Sequence, residues 1–146
     1  YHKGRIAMYK IIVASHGPMA EAMKQSLEFV MGQADGVETI CLDEDGVGKF
    51  SQKAKEIVER EDNKELLIMV DFTYGTPFNE FCKLVPQMKS NFEILTGVNL
   101  PSLVEAVSAQ MREITLEEAV SQIREVSVMR SYKELLNTQK ACDDDE

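Results

Sequence analysis

Short apolar segments alternate with amphipathic segments along most of the chain, and this alternation constrains the fold more than any other feature. The four apolar segments are YKIIVAS, VETICL, ELLIMVD and NFEILTGV. Helical spacing of apolar residues follows them, as with Met19, Met23, Leu27 and Val30 after the first. Alternation of this kind is typical of βαβ units with right-handed crossovers. We therefore predict an α/β fold with three αβα layers, a mainly parallel sheet and the strand order 2-1-3-4.

The C-terminal region permits two interpretations. The segment TLEEAVSQIREVSVMRSYKELL has mainly helical spacing, and Thr115 and Glu118 form a capping-box pattern at its start. Its middle, VSVMRSY, contains β-branched residues that favour strands. This middle part is predicted either to continue the helix or to form an extra antiparallel edge strand.

The length of 146 residues suits one domain, which we predict over residues 8–138. The first seven residues, YHKGRIA, are predicted to be foreign residues ahead of a native start at Met8, which leaves His16 as the only native histidine. The acidic tail over residues 139–146 is predicted to be disordered. The formal net charge of -9 argues against a nucleic-acid partner, because phosphate backbones bind Lys and Arg.

Several kinds of site are excluded by motifs that the sequence lacks. It has no GxxxxGK[ST] phosphate-binding loop, no GxGxxG dinucleotide motif and no GxSxG nucleophile elbow. One native histidine and scattered cysteines predict no metal site, and no cofactor is predicted. No apolar run has the length of a membrane span and no secretory signal is recognisable, so a cytoplasmic location is predicted.

Two residues far apart in sequence are candidates for one site. His16 follows the first strand and precedes a helix, while Asp71 ends the third strand. In the order 2-1-3-4 these strands are neighbours, and ligands bind at the carboxyl edge of such sheets. An aspartate that accepts a hydrogen bond from one imidazole nitrogen leaves the other nitrogen free as a nucleophile. The alternatives are an ordinary loop histidine and an aspartate that only caps a turn.

Two loops at the same edge are predicted to contribute to an anion site. Gly17 lets the backbone approach a ligand, and the helix N-terminus after it favours an anion such as a phosphoryl group. In GTPFN, Gly75 permits a tight turn and the Thr76 hydroxyl is a donor. The same segment also fits an ordinary helix start with Thr76 as N-cap and Pro77 in the first turn.

Three segments together resemble a known family. IIVASHGPMAEAM, LIMVDFTYGTPFN and ILTGVNLPSLVEA are similar to the enzyme IIA domain of the mannose family of the sugar phosphotransferase system, and the resemblance covers residues 8–109. It implies that His16 is the phosphorylated residue and that Asp71 hydrogen-bonds to it. Gly75, Thr76, Pro77 and Asn79 match the family's Gly-[Ser/Thr]-Pro-x-Asn motif. Where relatives often have a first glycine, this chain has Tyr74.

The resemblance implies a phosphoryl relay that needs neither metal nor nucleotide. A histidine-containing phosphocarrier protein would donate to His16, and His16 would donate to a IIB protein, which phosphorylates a sugar imported by the membrane proteins IIC and IID. Relatives also imply a homodimer formed through the C-terminal region and peripheral contact with the membrane transporter. Two alternatives stay open: a phosphoryl donor to a dihydroxyacetone kinase, and a regulatory module whose phosphorylation state signals sugar supply.

Overall fold

Four parallel strands form the centre of the molecule. The computed structural model describes residues 9–60, 62 and 64–144. The strands are β1 (Tyr9–His16), β2 (Val37–Leu42), β3 (Glu65–Val70) and β4 (Phe92–Thr96). Their order in the sheet is β2-β1-β3-β4, and every neighbouring pair is parallel. The predicted α/β fold and the predicted strand order 2-1-3-4 are confirmed.

Helices follow each strand in the chain. They are α1 (Met19–Met31), α2 (Val47–Val58), α3 (Thr76–Lys83), α4 (Leu100–Met111), α5 (Leu116–Val126) and α6 (Tyr132–Asp144), with a short 3-10 turn at Val85–Gln87. Gly32 ends α1 in the left-handed conformation and donates its N–H to the Glu28 carbonyl at 2.8 Å. None of the helices in the described part of the chain is both long and apolar enough to cross a membrane.

The sheet separates two hydrophobic cores. Successive residues of a strand point to opposite faces, so Ile11 and Val13 of β1 belong to one core and Ile12 and Ala14 to the other. On the first face these residues pack with Leu27 of α1, Leu103 of α4 and Ile123 of α5, and on the second face with Phe50 of α2 and Phe81 of α3. Because the central strands are covered on both faces, they read as nearly continuous apolar runs.

The C-terminal region differs from the edge-strand interpretation. In the described chain, Val126 ends α5, Tyr132 begins α6, and the residues between them form an irregular link. A strand here would need the edge of a neighbouring strand for its backbone hydrogen bonds. Instead, the Ser127 carbonyl accepts a hydrogen bond from Asn99 Nδ2 at 2.8 Å, and Ser127 Oγ donates to the Arg124 carbonyl at 3.0 Å. Within the described chain the middle part therefore neither continues the helix nor forms a fifth strand, so neither interpretation describes it.

Several predictions about the ends of the chain lie outside the described residues. These are the foreign segment 1–7 and the native start at Met8. The backbone of residues 139–144 belongs to α6, while residues 145 and 146 are outside the described part. The domain limits 8–138 and the disorder of the acidic tail stay predictions.

Candidate functional site

The parallel pairing of β1 with β3 brings His16 and Asp71 together. Ala14 of β1 is in register with Val70 of β3, so both strands end at the same edge of the sheet. Asp71 is tied directly to β1, because its backbone N–H donates to the Ala14 carbonyl at 3.2 Å. The sheet therefore fixes the separation of the two residues before their side chains make any contact.

The Asp71 carboxylate holds His16 by two hydrogen bonds. Its Oδ2 lies 2.7 Å from Nδ1 of the His16 ring and accepts the His16 backbone N–H at 2.8 Å. Its Oδ1 accepts the backbone N–H of Phe72 at 2.9 Å. The Asp71 side chain is only 8% exposed, whereas that of His16 is 38% exposed. One buried carboxylate thus orients a partly accessible imidazole.

Hydrogen bonding determines the charge of Asp71. Burial by itself raises the pKa of this carboxyl, but the hydrogen bonds from the His16 backbone, the His16 ring and the Phe72 backbone outweigh it. The pKa of Asp71 therefore lies below its usual value. An ionised carboxylate only accepts hydrogen bonds, so the proton of a neutral His16 ring resides on Nδ1. Nε2 then carries the lone pair, which is the form in which an imidazole nitrogen can act as a nucleophile.

Within the described part of the chain, Nε2 of His16 makes no hydrogen bond, and the ring is positioned by packing on one face. Phe72 stacks on the imidazole with a centroid separation of 4.7 Å and an interplanar angle of 4°. Gly75 lies against the edges of both rings. Phe72 was not among the predicted site residues, although an aromatic residue directly after Asp71 in a turn is a recognisable signal.

The turn between β1 and α1 is organised by Ser15 and Gly17. Gly17 has a φ of 62°, the left-handed conformation that favours glycine, and its N–H donates to the Leu42 carbonyl at 2.7 Å. The buried Ser15 Oγ accepts the Ala20 N–H at 2.7 Å and donates to the Gly17 carbonyl at 3.1 Å. Gly17 directly follows His16, but its amide is already bonded to Leu42 of β2, and its role in anion binding stays a prediction. Ser15 was missed, although a serine that ends an apolar strand before a helix is a recognisable signal.

The GTPFN segment lies at the start of α3. Gly75 is the N-cap residue and Thr76 the first residue of the helix, with no side-chain capping bond, so the alternative of Thr76 as N-cap is wrong by one position. Asn79 Nδ2 donates to the Tyr74 carbonyl at 3.2 Å, and the Asn79 N–H donates to the Gly75 carbonyl at 2.9 Å. Asn79 thus braces the loop that carries Phe72 and Gly75. Roles for Thr76 and Asn79 in phosphate binding stay predictions.

The site is separate from a large cavity in the described part of the protein. A cavity of about 640 Å³ lies at the opposite, amino end of the strands, where Tyr9, Lys10, Val37 and Glu38 contribute to its lining. Over residues 9–60, 62 and 64–144, no group of three or more His, Cys, Asp and Glu residues is arranged to hold a metal ion. The groups that the structure brings together at the His16 edge are an imidazole, the carboxylate that orients it and the stacked ring of Phe72.

Comparison with known proteins identifies the family. The sequence model of the family EIIA-man, described as "PTS system fructose IIA component", matches residues 10–124, which is most of the chain. The chain belongs to the EIIA-man family. Both His16 and Asp71 lie within the matched region. This EIIA-man chain is thus a IIA component of the phosphotransferase system of the mannose, fructose and sorbose type.

Individual relatives of the EIIA-man chain differ in length. The chain is 27% identical over 113 residues to the "PTS system mannose-specific EIIAB component" of Escherichia coli (strain K12), a match to 76% of this chain and 35% of that protein. It therefore spans about a third of the length of that relative. It is 25% identical over 138 residues to the "PTS system sorbose-specific EIIA component" of Lacticaseibacillus casei, covering 92% of this chain and 99% of that one.

A solved structure has the same fold. "Phosphotransferase system component EIIA" from Streptococcus agalactiae superposes on the EIIA-man chain with a TM-score of 0.71 at 29% sequence identity. The superposition covers 84% of this chain and 97% of that chain. The similarity thus extends over nearly the whole length of the solved protein.

Proposed function

We propose that this EIIA-man chain is a phosphoryl-relay protein that carries the phosphoryl group on Nε2 of His16. The single observation that carries the proposal is the 2.7 Å contact between His16 Nδ1 and Asp71 Oδ2. This contact places the proton on Nδ1 and leaves the lone pair on Nε2, on a side chain that is 38% exposed. The proposed donor is the histidine-containing phosphocarrier protein, and the proposed acceptor is a IIB protein of the same system.

The transfer needs no proton to leave His16. As the bond between Nε2 and phosphorus forms, the bond between phosphorus and the donor histidine breaks, and its electron pair returns to the donor nitrogen. The Nδ1 proton stays in its hydrogen bond to Asp71. The ring becomes positively charged as an N-phosphoimidazolium, and the adjacent carboxylate stabilises this charge. Phosphoryl transfer depends mainly on such positioning and electrostatic stabilisation.

The second transfer reverses these changes. The bond between Nε2 and phosphorus breaks as the IIB histidine attacks, and His16 returns to its neutral state with the proton still on Nδ1. IIB then phosphorylates the sugar that the membrane proteins IIC and IID import. The proposal places the chain in the cytoplasm, in contact with the membrane only through this transporter.

Phosphorylation by the complete donor system tests the proposal. With phosphoenolpyruvate, enzyme I and the phosphocarrier protein, we expect one phosphate per chain, labile in acid and stable in base. The chain has two histidines, so His2→Ala serves as the matched control for His16→Ala. The His2 variant should be labelled fully and the His16 variant not at all. Acid-stable label, or label that persists in His16→Ala, would overturn the proposal.

Addition of a IIB protein separates relay from regulation. In a relay, the labelled phosphate leaves His16 and appears on IIB when the two proteins are mixed without the donor. A chain that keeps its label in the presence of the IIB protein would support the regulatory alternative instead. Asp71→Asn is a useful comparison, because it slows the exchange without removing the nucleophile.

The proposal includes a homodimer formed through the C-terminal region. β4 ends the sheet, and its outer edge has no strand beside it in the described chain. Val128 and Met129 in the link before α6 are exposed, as are the described side chains of α6. Exchange of this region between two copies would cover the outer edge of β4 and the exposed side chains of the link and of α6. Light scattering should give the dimer mass at micromolar concentration and the monomer mass after deletion of residues 125–146; a monomer in both cases would contradict the dimer.

A further inference from the structure

We propose that Phe72 is a positioning residue that sets the plane of the His16 ring for in-line transfer at Nε2. The inference rests on the proposed function of His16. The two rings are 4.7 Å apart between centroids and lie within 4° of parallel. Phe72 nevertheless remains 54% exposed. Its ring therefore packs on the imidazole at the protein surface and belongs to neither hydrophobic core.

The hydrogen bond to Asp71 leaves the tilt of the His16 ring only loosely defined. It anchors a single ring atom, Nδ1. The second side-chain torsion of histidine has a broad energy minimum, so the ring can tilt while this bond is kept. The Nε2 lone pair lies in the ring plane, and its direction therefore follows that tilt. A phosphoryl group transferred in line needs this direction to match the donor–phosphorus axis, and a flat surface against one ring face supplies the missing constraint.

The same carboxylate holds both members of the stack. Asp71 Oδ2 binds the His16 ring and backbone, and Asp71 Oδ1 accepts the Phe72 backbone N–H at 2.9 Å. The Phe72 ring is thus attached to the backbone position adjacent to the orienting residue. The carboxylate that fixes Nδ1 therefore also holds the backbone from which the Phe72 ring extends over the imidazole.

Gly75 leaves the space that the two rings require. A Cβ atom at this position would lie 2.7 Å from His16 Cε1 and 2.8 Å from Phe72 Cε1, closer than real contacts allow. The φ of Gly75 is −81°, which any residue adopts, so the requirement is for space and not for backbone conformation. The loop backbone therefore borders the stack on its edge and restricts how far either ring can move.

Three substitutions separate positioning from partner docking. Phe72→Leu removes the flat ring, Phe72→Tyr keeps it, and Phe29→Leu makes the same change as the first on a phenylalanine of α1 that is 92% exposed. Because the His16 ring stacks on Phe72, the ring current of Phe72 should shift the NMR signals of the carbon-bound protons of His16. We expect this shift to be lost in Phe72→Leu and kept in Phe72→Tyr and Phe29→Leu.

Transfer kinetics provide the functional measurement. At saturating phosphocarrier protein, the rate constant of Phe72→Leu should fall by about two- to tenfold, as expected for loss of an aromatic pair. Phe72→Tyr should restore it, and Phe29→Leu should match the wild type. An unchanged His16 NMR shift in Phe72→Leu would overturn the inference. A Phe72→Leu protein with a normal rate constant at saturation and a raised KM would also overturn the inference. That result would assign Phe72 to docking of the phosphocarrier protein.

The design distinguishes failure of this inference from failure of the proposed function. Wild-type protein that takes up no phosphate would overturn the relay, and the positioning role with it, whatever the NMR spectra show. Wild-type protein that is labelled normally, combined with a Phe72→Leu variant of normal rate and KM, would overturn only the role of Phe72.

Discussion

Nδ1 of His16 and Oδ2 of Asp71 lie 2.7 Å apart, although 55 residues separate them in sequence. The contact exists because β1 and β3 are parallel neighbours that end at the same edge of the sheet. The same oxygen also accepts the His16 backbone N–H at 2.8 Å. One carboxylate oxygen therefore fixes both the backbone and the ring tautomer of the residue proposed to carry the phosphoryl group.

Replacement of Asp71 by asparagine should slow transfer and preserve the fold. The amide fills nearly the same volume, but it cannot stabilise the positive charge of a phosphorylated ring, and its NH₂ group can donate to Nδ1 and favour the wrong tautomer. Loss of one charge-assisted hydrogen bond costs about 1.5–3 kcal/mol, which corresponds to roughly ten- to a hundredfold in rate. The initial rate of labelled phosphate transfer measures this loss, and circular dichroism checks the fold.

Asp62→Asn is the matched control for this substitution. Asp62 precedes β3 at the opposite end of the sheet, where it lies 3.5 Å from Lys10 Nζ. The control removes the same charge and should leave the transfer rate at the wild-type value. Equal rates for the two variants would show that the Asp71 carboxylate has no part in the reaction.

The stability of the fold should depend on the protonation of Asp71. The pKa of this carboxyl is lowered in the folded state because its hydrogen bonds outweigh burial. A lowered pKa means that the carboxylate stabilises the fold fully above the unfolded-state pKa, about 3.9, and loses this contribution as the pH falls below it through the folded-state pKa. Urea unfolding at pH 7 and pH 3 should show a larger loss of stability in the wild type than in Asp71→Asn. The same loss in both proteins would contradict the role of this carboxylate.

Much of the fold, and the proximity of His16 to Asp71 at the edge of the sheet, could be predicted from the sequence. Continuous apolar runs indicated strands covered on both faces, and this pattern gives a parallel sheet with few possible orders. Once β1 and β3 are neighbours, His16 and Asp71 must lie near each other, because the carboxyl ends of parallel strands meet at the same edge of the sheet. These conclusions depend on hydrophobic periodicity and topology, which the sequence records directly.

The features that could not be predicted from the sequence depend on side-chain packing or on pairing with another segment. The stack of Phe72 on His16 depends on loop backbone geometry and on the space left by Gly75, and periodicity carries no information about either. The segment around Val128 has β-branched residues suited to a strand, but a strand forms only where its backbone groups pair with those of a neighbouring strand. In the single chain the Ser127 carbonyl is already bonded to Asn99, and the link stays irregular.

A methyl group at position 75 should displace the ring of His16 without unfolding the chain. In Gly75→Ala the new Cβ would be 2.7 Å from His16 Cε1 and 2.8 Å from Phe72 Cε1, so at least one ring must shift. Displacement of a reacting group by a fraction of an ångström should lower the transfer rate by about ten- to a hundredfold. Gly48→Ala in the first turn of α2 is the control, because the added Cβ meets nothing within 4 Å and the transfer rate should therefore match the wild type. A Gly75→Ala protein with the wild-type rate would show that the rings have more room than the structure gives them.

Removal of the Ser15 hydroxyl should weaken the turn that carries His16. Ser15 is fully buried, and its Oγ joins the Ala20 N–H at 2.7 Å to the Gly17 carbonyl at 3.1 Å. Ser15→Ala leaves the buried amide of Ala20 without its acceptor, which costs about 1–3 kcal/mol in the free energy of unfolding. Ser26→Ala, at an exposed position of α1, is the matched control and should be neutral or slightly stabilising, because alanine has the higher helix propensity. Urea unfolding of both variants measures the difference, and equal stability of the two variants would show that the turn is held by other contacts.

The transfer rate of Ser15→Ala should fall as well, because the Gly17 carbonyl also loses its donor.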